Sequence, residues 1–249
     1  MLPKLTLLLG ILTCLPYSAE TDTLRTYFAD QVPKEVFCVQ KGTQIRHGAY
    51  SAFHPNGQRA RQGFYDHNKP DSLWTSWYED GKIWMRENFK SGLENGLSEA
   101  FFQNGKKQFE NYYKMGESHG EQKSWTESGT PELLESYDNG VLSGRQVKYY
   151  PSGQMATEMV TQDGRLNGAY KKWYEDGKPE ADAVFLDAKP HGTFKRWSPK
   201  GQQLMHSDYF KGARHGILKV WDETGKLLTD QVWELDKCLK NCEEKKPEK

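Results

Sequence analysis

Lysine and tryptophan stand two residues apart at Lys171 and Trp173, Lys195 and Trp197, and Lys219 and Trp221, each pair 24 residues after the last. Side chains two apart on a strand share a face, so the pattern would set a lysine column beside a tryptophan column. Charge and ring stacking together suit an anionic polymer, a glycan, a lipid headgroup or an acidic partner. The competing reading is that each lysine stem covers the neighbouring ring and keeps its ammonium in water. Both stay open at this level.

The other chemistry-bearing residues point to structure. Four histidines, His47, His119, His191 and His215, fall where other copies of the same period carry Asp71, Asn95, Ser143 and Asn167. Those are turn-forming types, so turn histidines are expected. His191 and His215 would lie two strand spacings apart, ~10 Å, too far to share a zinc. Glu79-Asp80 and Glu175-Asp176 look like acid/base pairs, but a glycosidase needs two carboxylates across a cleft with one pKa raised by burial. These sit in turn sequences. No nucleophile elbow or phosphate loop interrupts the repeat, so no catalytic, cofactor or metal residues are expected and the chain reads as a non-enzyme.

The elements that would position these residues follow from one period. Write n for His47, Asp71, Asn95, His119, Ser143, Asn167, His191 and His215, each 24 residues on. At n+10 all eight copies carry glycine and at n+6 all eight carry an aromatic. Seven have glycine at n+1, Ser72 being the exception, and seven an aromatic at n+18, with Thr161 the exception. A fixed period of this length marks a repeat architecture. Asn-Gly or Asp-Gly at n+9 and n+10, as in Asn56-Gly57 and Asp80-Gly81, is a strong hairpin signal and predicts a two-residue type I′ turn. A six-residue connection then leads to the next copy. Short connections require antiparallel neighbours. The predicted fold is all-β: an elongated single-layer antiparallel meander of eight 24-residue β-hairpins, roughly 75 Å long at ~4.8 Å per strand. With a two-residue tip, n+6 pairs with n+13 and n+18 faces the opposite side. A one-residue bulge would alter that assignment.

The ends differ. Residues 1–19, with the apolar run Leu5 to Leu12 and Ser18-Ala19, read as a secretory signal peptide. Ile11-Leu12-Thr13-Cys14 leaves lipidation of Cys14 open beside cleavage near Ala19. Residues 20–46 lie outside the period and read as an N-terminal cap, with a strand over 35–40. The repeats run over 47–237, and 238–249 form a charged C-terminal tail. Within that tail Cys238 and Cys242 form the expected local disulfide, which leaves Cys38 over, as a free thiol or in an intermolecular bridge. Mean hydropathy is −0.88, too polar for a thick core, so the aromatics must supply burial. The 34 basic and 34 acidic side chains balance, which argues against a nucleic-acid binder.

The pattern glycine, aromatic five residues later, glycine four further on, then a second aromatic and two more glycines resembles the bacterial variant of the MORN repeat. It is similar to proteins described as antitoxin-like MORN-variant repeats. The resemblance covers Arg46 to about Asp236. It departs at Asn68, Ala188, Asp236 and Ser72, where glycine is replaced. It implies a single-sheet repeat used for binding or scaffolding, with no catalytic residues to carry over. The expected role is therefore an exported protein-binding scaffold or immunity-like inhibitor, periplasmic, outer-membrane-associated or extracellular. The alternative is a glycan- or membrane-surface-binding module using the lysine and tryptophan face. The sequence carries no signal for oligomeric state.

Overall fold

A computed structural model describes residues 20–242. The leader, Cys14 and residues 243–249 lie outside the described residues. Within them there are twenty-one strands and no helix. Strands pair with their neighbours in the chain, always antiparallel, as a meander. The chain divides into two units: residues up to 107 with 113–117, and residues 108–112 with 118 onwards.

Each repeat contributes two strands, for example Arg46–Phe53 with Arg59–Asp66 and Arg165–Trp173 with Pro179–Leu186. In two repeats the first strand is broken, into Leu93–Glu94 and Gly96–Phe101, and into Lys189–Pro190 and Gly192–Trp197. The cap holds two strands, Thr21–Tyr27 and Pro33–Gln40, in register from Thr21 opposite Gln40. Only the second was expected.

The two connections exchange turn types relative to the sequence reading. At the n+9 tip, the His54 amide donates to the Gln58 carbonyl at 2.8 Å and the Gly57 amide to the His54 carbonyl at 2.9 Å. Gly57 has φ of 82°, and Asn56 is not among the residues with positive φ. This is a three-residue loop, a type I turn closed by a left-handed glycine, and not a two-residue type I′ turn. The Asn56 side chain is used differently: its Oδ1 accepts the Gln58 amide at 2.9 Å. The type I′ turns lie instead at n+20 and n+21, where both residues take positive φ, as in His67 (47°) with Asn68 (65°) and Asn139 (46°) with Gly140 (80°). The supposed six-residue connection is thus a tight hairpin followed by more strand.

Both hairpin types bend the ladder. Tyr50 pairs with Gly63 and Ala52 with Arg61, but Phe53 pairs with Arg59, so one residue is extra beside the tip. Between Gln62↔Thr75 and Phe64↔Asp71 the second strand of the pair has three residues against one. Glycine at n+1 sits in this bulge. Gly48 has φ of 112°, and a Cβ there would come within 2.8 Å of the Cys38 Cβ. The n+6 residue therefore pairs with n+12, not n+13. The n+18 column still lies on the face opposite n+6, because n+18 pairs with n+1 and n+14 with n+5.

In the first unit one face packs around Trp74, which is 1% exposed. Tyr50, Tyr65 and Phe89 surround it with ring centroids at 5.4, 4.9 and 6.4 Å. Arg61 caps the indole at 4.8 Å and pairs with Glu87 at 3.0 Å. Arg46 lies over Phe37, Tyr50 and Tyr65. In the second unit the same face carries Ala181, Ala183 and Leu218, together with Gln146 and Gln231, all buried.

The C-terminal segment is more ordered than a charged tail. Lys237–Lys240 forms a strand against Leu227–Glu234, with Trp233 opposite Cys238. Cys238 and Cys242 are joined in a disulfide. Cys38 is neither a spare thiol nor free: it is itself disulfide-bonded.

Candidate functional site

The lysine column belongs to a ladder of mixed sign in the second unit. Register places Lys171 between Glu158 and Asp182, Lys195 between Asp182 and His206, and Lys219 between His206 and Asp230. Opposite charges facing across strands are favourable, by about 0.2–1 kcal/mol a pair. The column consequently carries little net charge, which weakens its fit to a uniformly anionic polymer.

The tryptophans of the pattern are half-buried on the same face. Their backbones are stitched from one repeat to the next by the residue at n+7. The Tyr150 hydroxyl donates to the Trp173 carbonyl at 2.7 Å and Tyr174 to Trp197 at 2.8 Å. In the first unit Tyr78 does the same to Phe101 at 2.8 Å, and His54 Nε2 lies 2.9 Å from the Trp77 carbonyl. In the first unit arginines stack on this aromatic column, Arg59 on Trp77 at 5.6 Å and Arg86 on Phe101 at 5.8 Å.

Exposed apolar side chains within strands gather on this face as well. Phe64, Leu73 and Trp84 in the first unit, and Tyr112, Val184, Ile217 and Leu228 in the second, are all exposed. They occupy n+2, n+13 and n+17, the positions that alternate with the packed n+3, n+14, n+16 and n+18. The remaining large exposed apolar residues sit at turns, at strand ends or in the terminal strands. The packed face was missed at n+3, where Tyr50 and Trp74 sit. The signal was present, but it appears in only some copies.

The histidines at n serve the type I′ turns. His191 Nδ1 accepts the Lys211 amide at 3.3 Å, as Asp71 accepts that of Ser91 and Asn95 that of Met115, each at 3.2 Å. His47 and His119 instead face a carboxylate, Asp66 at 3.2 Å and Asp138 at 3.3 Å. In the first repeat His67 joins them, 2.6 Å from the same Asp66 oxygen. The hydrogen bond from His67, with the two ring charges behind it, holds the Asp66 carboxyl below its usual range. The sequence reading compared histidines of successive repeats and did not see that n, n+19 and n+20 meet where the open end of one hairpin abuts the tight turn of the next.

In each tip pair the aspartate is held ionised. Asp80 is pulled below the usual carboxylate range chiefly by the Lys82 amide. Asp176 is pulled down first by the Lys178 ammonium, at 2.7 Å, and then by its amide. Neither is poised as a proton donor near neutral pH.

Residues 46–67, 70–91, 118–139, 166–187 and 214–233 each match the family model of the MORN repeat variant. Every match begins at n−1, so all five lie in the phase read from the glycines and aromatics. The repeats starting at Asn95, Ser143 and His191 share their turn hydrogen bonds, such as Gly116 to Glu94 and Gly164 to Leu142, both 2.8 Å. No curated protein sequence matches the chain. Two solved structures, of TcdB2-TccC3 and of TcdB2-TccC3-Cdc42, are similar to 85% of this chain at 9% and 11% identity, with TM-scores of 0.23 and 0.22. The chain spans 14% and 12% of their lengths, and a likeness at that level carries no argument. The in-phase matches spread over residues 46–233 place this chain in the MORN repeat variant family.

Proposed function

We propose that this repeat scaffold is non-catalytic and binds another protein through the face that carries the n+6 aromatics. The observation that supports this is segregation: exposed apolar strand residues fall on that face, opposite the packed cluster. Contiguous exposed apolar surface marks interaction sites. The mixed-sign ladder beside it suits a partner with patterned charge, which is a protein property, and gives register more than raw affinity. The finer version is an exported immunity-like inhibitor acting at the cell envelope, supported by the apolar leader at Leu5 to Leu12.

The test is affinity purification from crosslinked cells of the wild type and of two surface variants, Leu73→Asp with Trp84→Asp, and Val184→Asp with Ile217→Asp. A stoichiometric protein that is lost in either variant, with strand content unchanged by circular dichroism, supports the reading. Recovery of the same proteins at the same yield from all three chains refutes it. Residues 1–25 fused to a reporter active only after export test localisation, and retention inside would overturn the envelope assignment.

A second reading, a glycan- or lipid-binding face, draws on Trp173, Trp197 and Trp221 standing beside Lys171, Lys195 and Lys219. It requires salt-sensitive binding to anionic vesicles or wall sugars that is lost in Lys195→Glu with Lys219→Glu. Absence of binding at low salt removes it.

A further inference from the structure

We propose that His47, Asp66 and His67 form a binding site for a transition-metal dication of the zinc type. The three meet in the first unit where the open end of the hairpin over 46–66 abuts the type I′ turn that follows it. His47 lies on the strand Arg46–Phe53, Asp66 ends the strand Arg59–Asp66, and His67 opens the type I′ turn. The pairing of Gly48 with Tyr65 and of Asp66 with Lys69 folds the turn back beside His47. The imidazole centroids are 4.7 Å apart. One ligand atom from each residue can be chosen so that all lie within 4.8 Å of one another.

A second observation points to a ligand. His47 Nδ1 is shut off from solvent and makes no hydrogen bond, although it is 3.2 Å from Asp66 Oδ1. A buried ring nitrogen without a partner is costly, and a cation between it and the carboxylate would satisfy both. His67 Nδ1 lies 2.6 Å from the same oxygen. Two imidazole nitrogens and one carboxylate oxygen are ligands that zinc, nickel, copper and cobalt accept at about 2.0–2.2 Å. Binding displaces the proton that joins His67 and Asp66, and the coordinating Nδ1 atoms leave each ring's proton on Nε2. Three protein ligands leave a position open. Asp66 and His67 are exposed, so that position faces outward, to water or to a side chain of a bound protein.

The chain contains its own control. In the repeat starting at His119, His119 Nδ1 lies 3.3 Å from Asp138 and is likewise buried without a hydrogen bond. There Asn139 takes the place of His67 and donates to Asp138 at 2.9 Å. Asn139 has φ of 46° against 47° for His67. That repeat therefore has the geometry with one ligand fewer.

The experiment is calorimetric titration of the untagged, chelator-stripped full chain with zinc chloride at pH 7.5. One equivalent is expected to bind. His67→Asn should weaken binding at least tenfold, and it copies a turn residue the fold already uses, so folding is preserved. His119→Asn should leave binding unchanged. Asn139→His should add a second equivalent. No uptake by the wild type at millimolar zinc, undiminished uptake in His67→Asn, or a single equivalent in Asn139→His would each overturn the assignment.

Discussion

Trp74 and Gln146 occupy the same repeat position, n+3 on the packed face, one in each unit, and their surroundings solve the same problem in opposite ways. Around Trp74 the neighbours are rings and guanidinium groups: Tyr50, Tyr65, Phe89 and Arg61. Around Gln146 they are polar. Its Nε2 donates to the Ser136 carbonyl and to Thr161 Oγ1, both at 3.1 Å. Both side chains are nearly inaccessible, at 1% and 4% exposure. The difference shows that the repeat backbone does not demand an aromatic at this site. It demands a filled volume: Gln146 pairs its Nε2, while its Oε1 and the Trp74 Nε1 are buried without a hydrogen bond. Thr161, the one break in the n+18 aromatic column, accepts from that amide across the strands.

The comparison is broken most strongly at the aromatic site. Trp74→Ala should cost about 3–5 kcal/mol. Because repeat stability is mostly a nearest-neighbour sum, the loss should be local. Hydrogen exchange should accelerate in the strands Arg46–Phe53, Arg59–Asp66 and Lys69–Trp77, and uniform acceleration across all repeats would show a single cooperative unit instead.

Next comes the space the indole needs. Gly63 faces Trp74, and a Cβ there would stand 2.2 Å from an indole carbon. Gly63→Ala should therefore destabilise by about 1–3 kcal/mol through overpacking, measurable by urea unfolding. Tolerance of alanine would mean that the indole can move aside at little cost.

The polar site should respond less, and in a way that depends on pairing. Gln146→Ala should cost about 1–2 kcal/mol, since Thr161 and the Ser136 carbonyl lose a donor. Gln146→Leu with Thr161→Val removes both members of the side-chain pair and leaves only the Ser136 carbonyl without its donor, so it should cost less than Gln146→Ala. A double variant as unstable as the single one would show that the amide contributes more than its hydrogen bonds.

The smallest effect at neutral pH separates the units by titration. Burial, then the hydrogen bond from its hydroxyl to Glu35 at 2.7 Å and the charge of that carboxylate, push the Tyr50 phenol well above its usual range. The folded state thus holds the neutral phenol more firmly than the unfolded chain does. The stability this adds is complete below the ordinary tyrosine pKa of about 10 and is lost as pH rises above it. Alkaline unfolding of the first unit should begin there, and Tyr50→Phe should blunt it. An unchanged alkaline limb in that variant would place the sensitivity elsewhere.

The period, the antiparallel hairpins and the family were legible in the sequence because glycine and aromatic residues recur every 24 positions without a gap. The same is true of the tip at Asn56-Gly57, though not of its type. Asn-Gly serves both a type I′ turn and a type I turn with a left-handed glycine, and only the bulge beside Phe53 decides between them. Moving the type I′ turn to His67-Asn68 changes what lies beside it, which is why the meeting of His47, Asp66 and His67 could not be seen in the chain. The Lys171, Lys195 and Lys219 column was placed on the correct strands, but its acidic neighbours come from the facing strands and depend on register.

Sequence alone determined how often the chain turns, because the n+10 tip of every copy needs a backbone with positive φ and carries glycine there. Tertiary structure decided which residues face each other. Pairing register depends on single extra residues in bulges, and one residue of slip carries a side chain from one face of a sheet to the other.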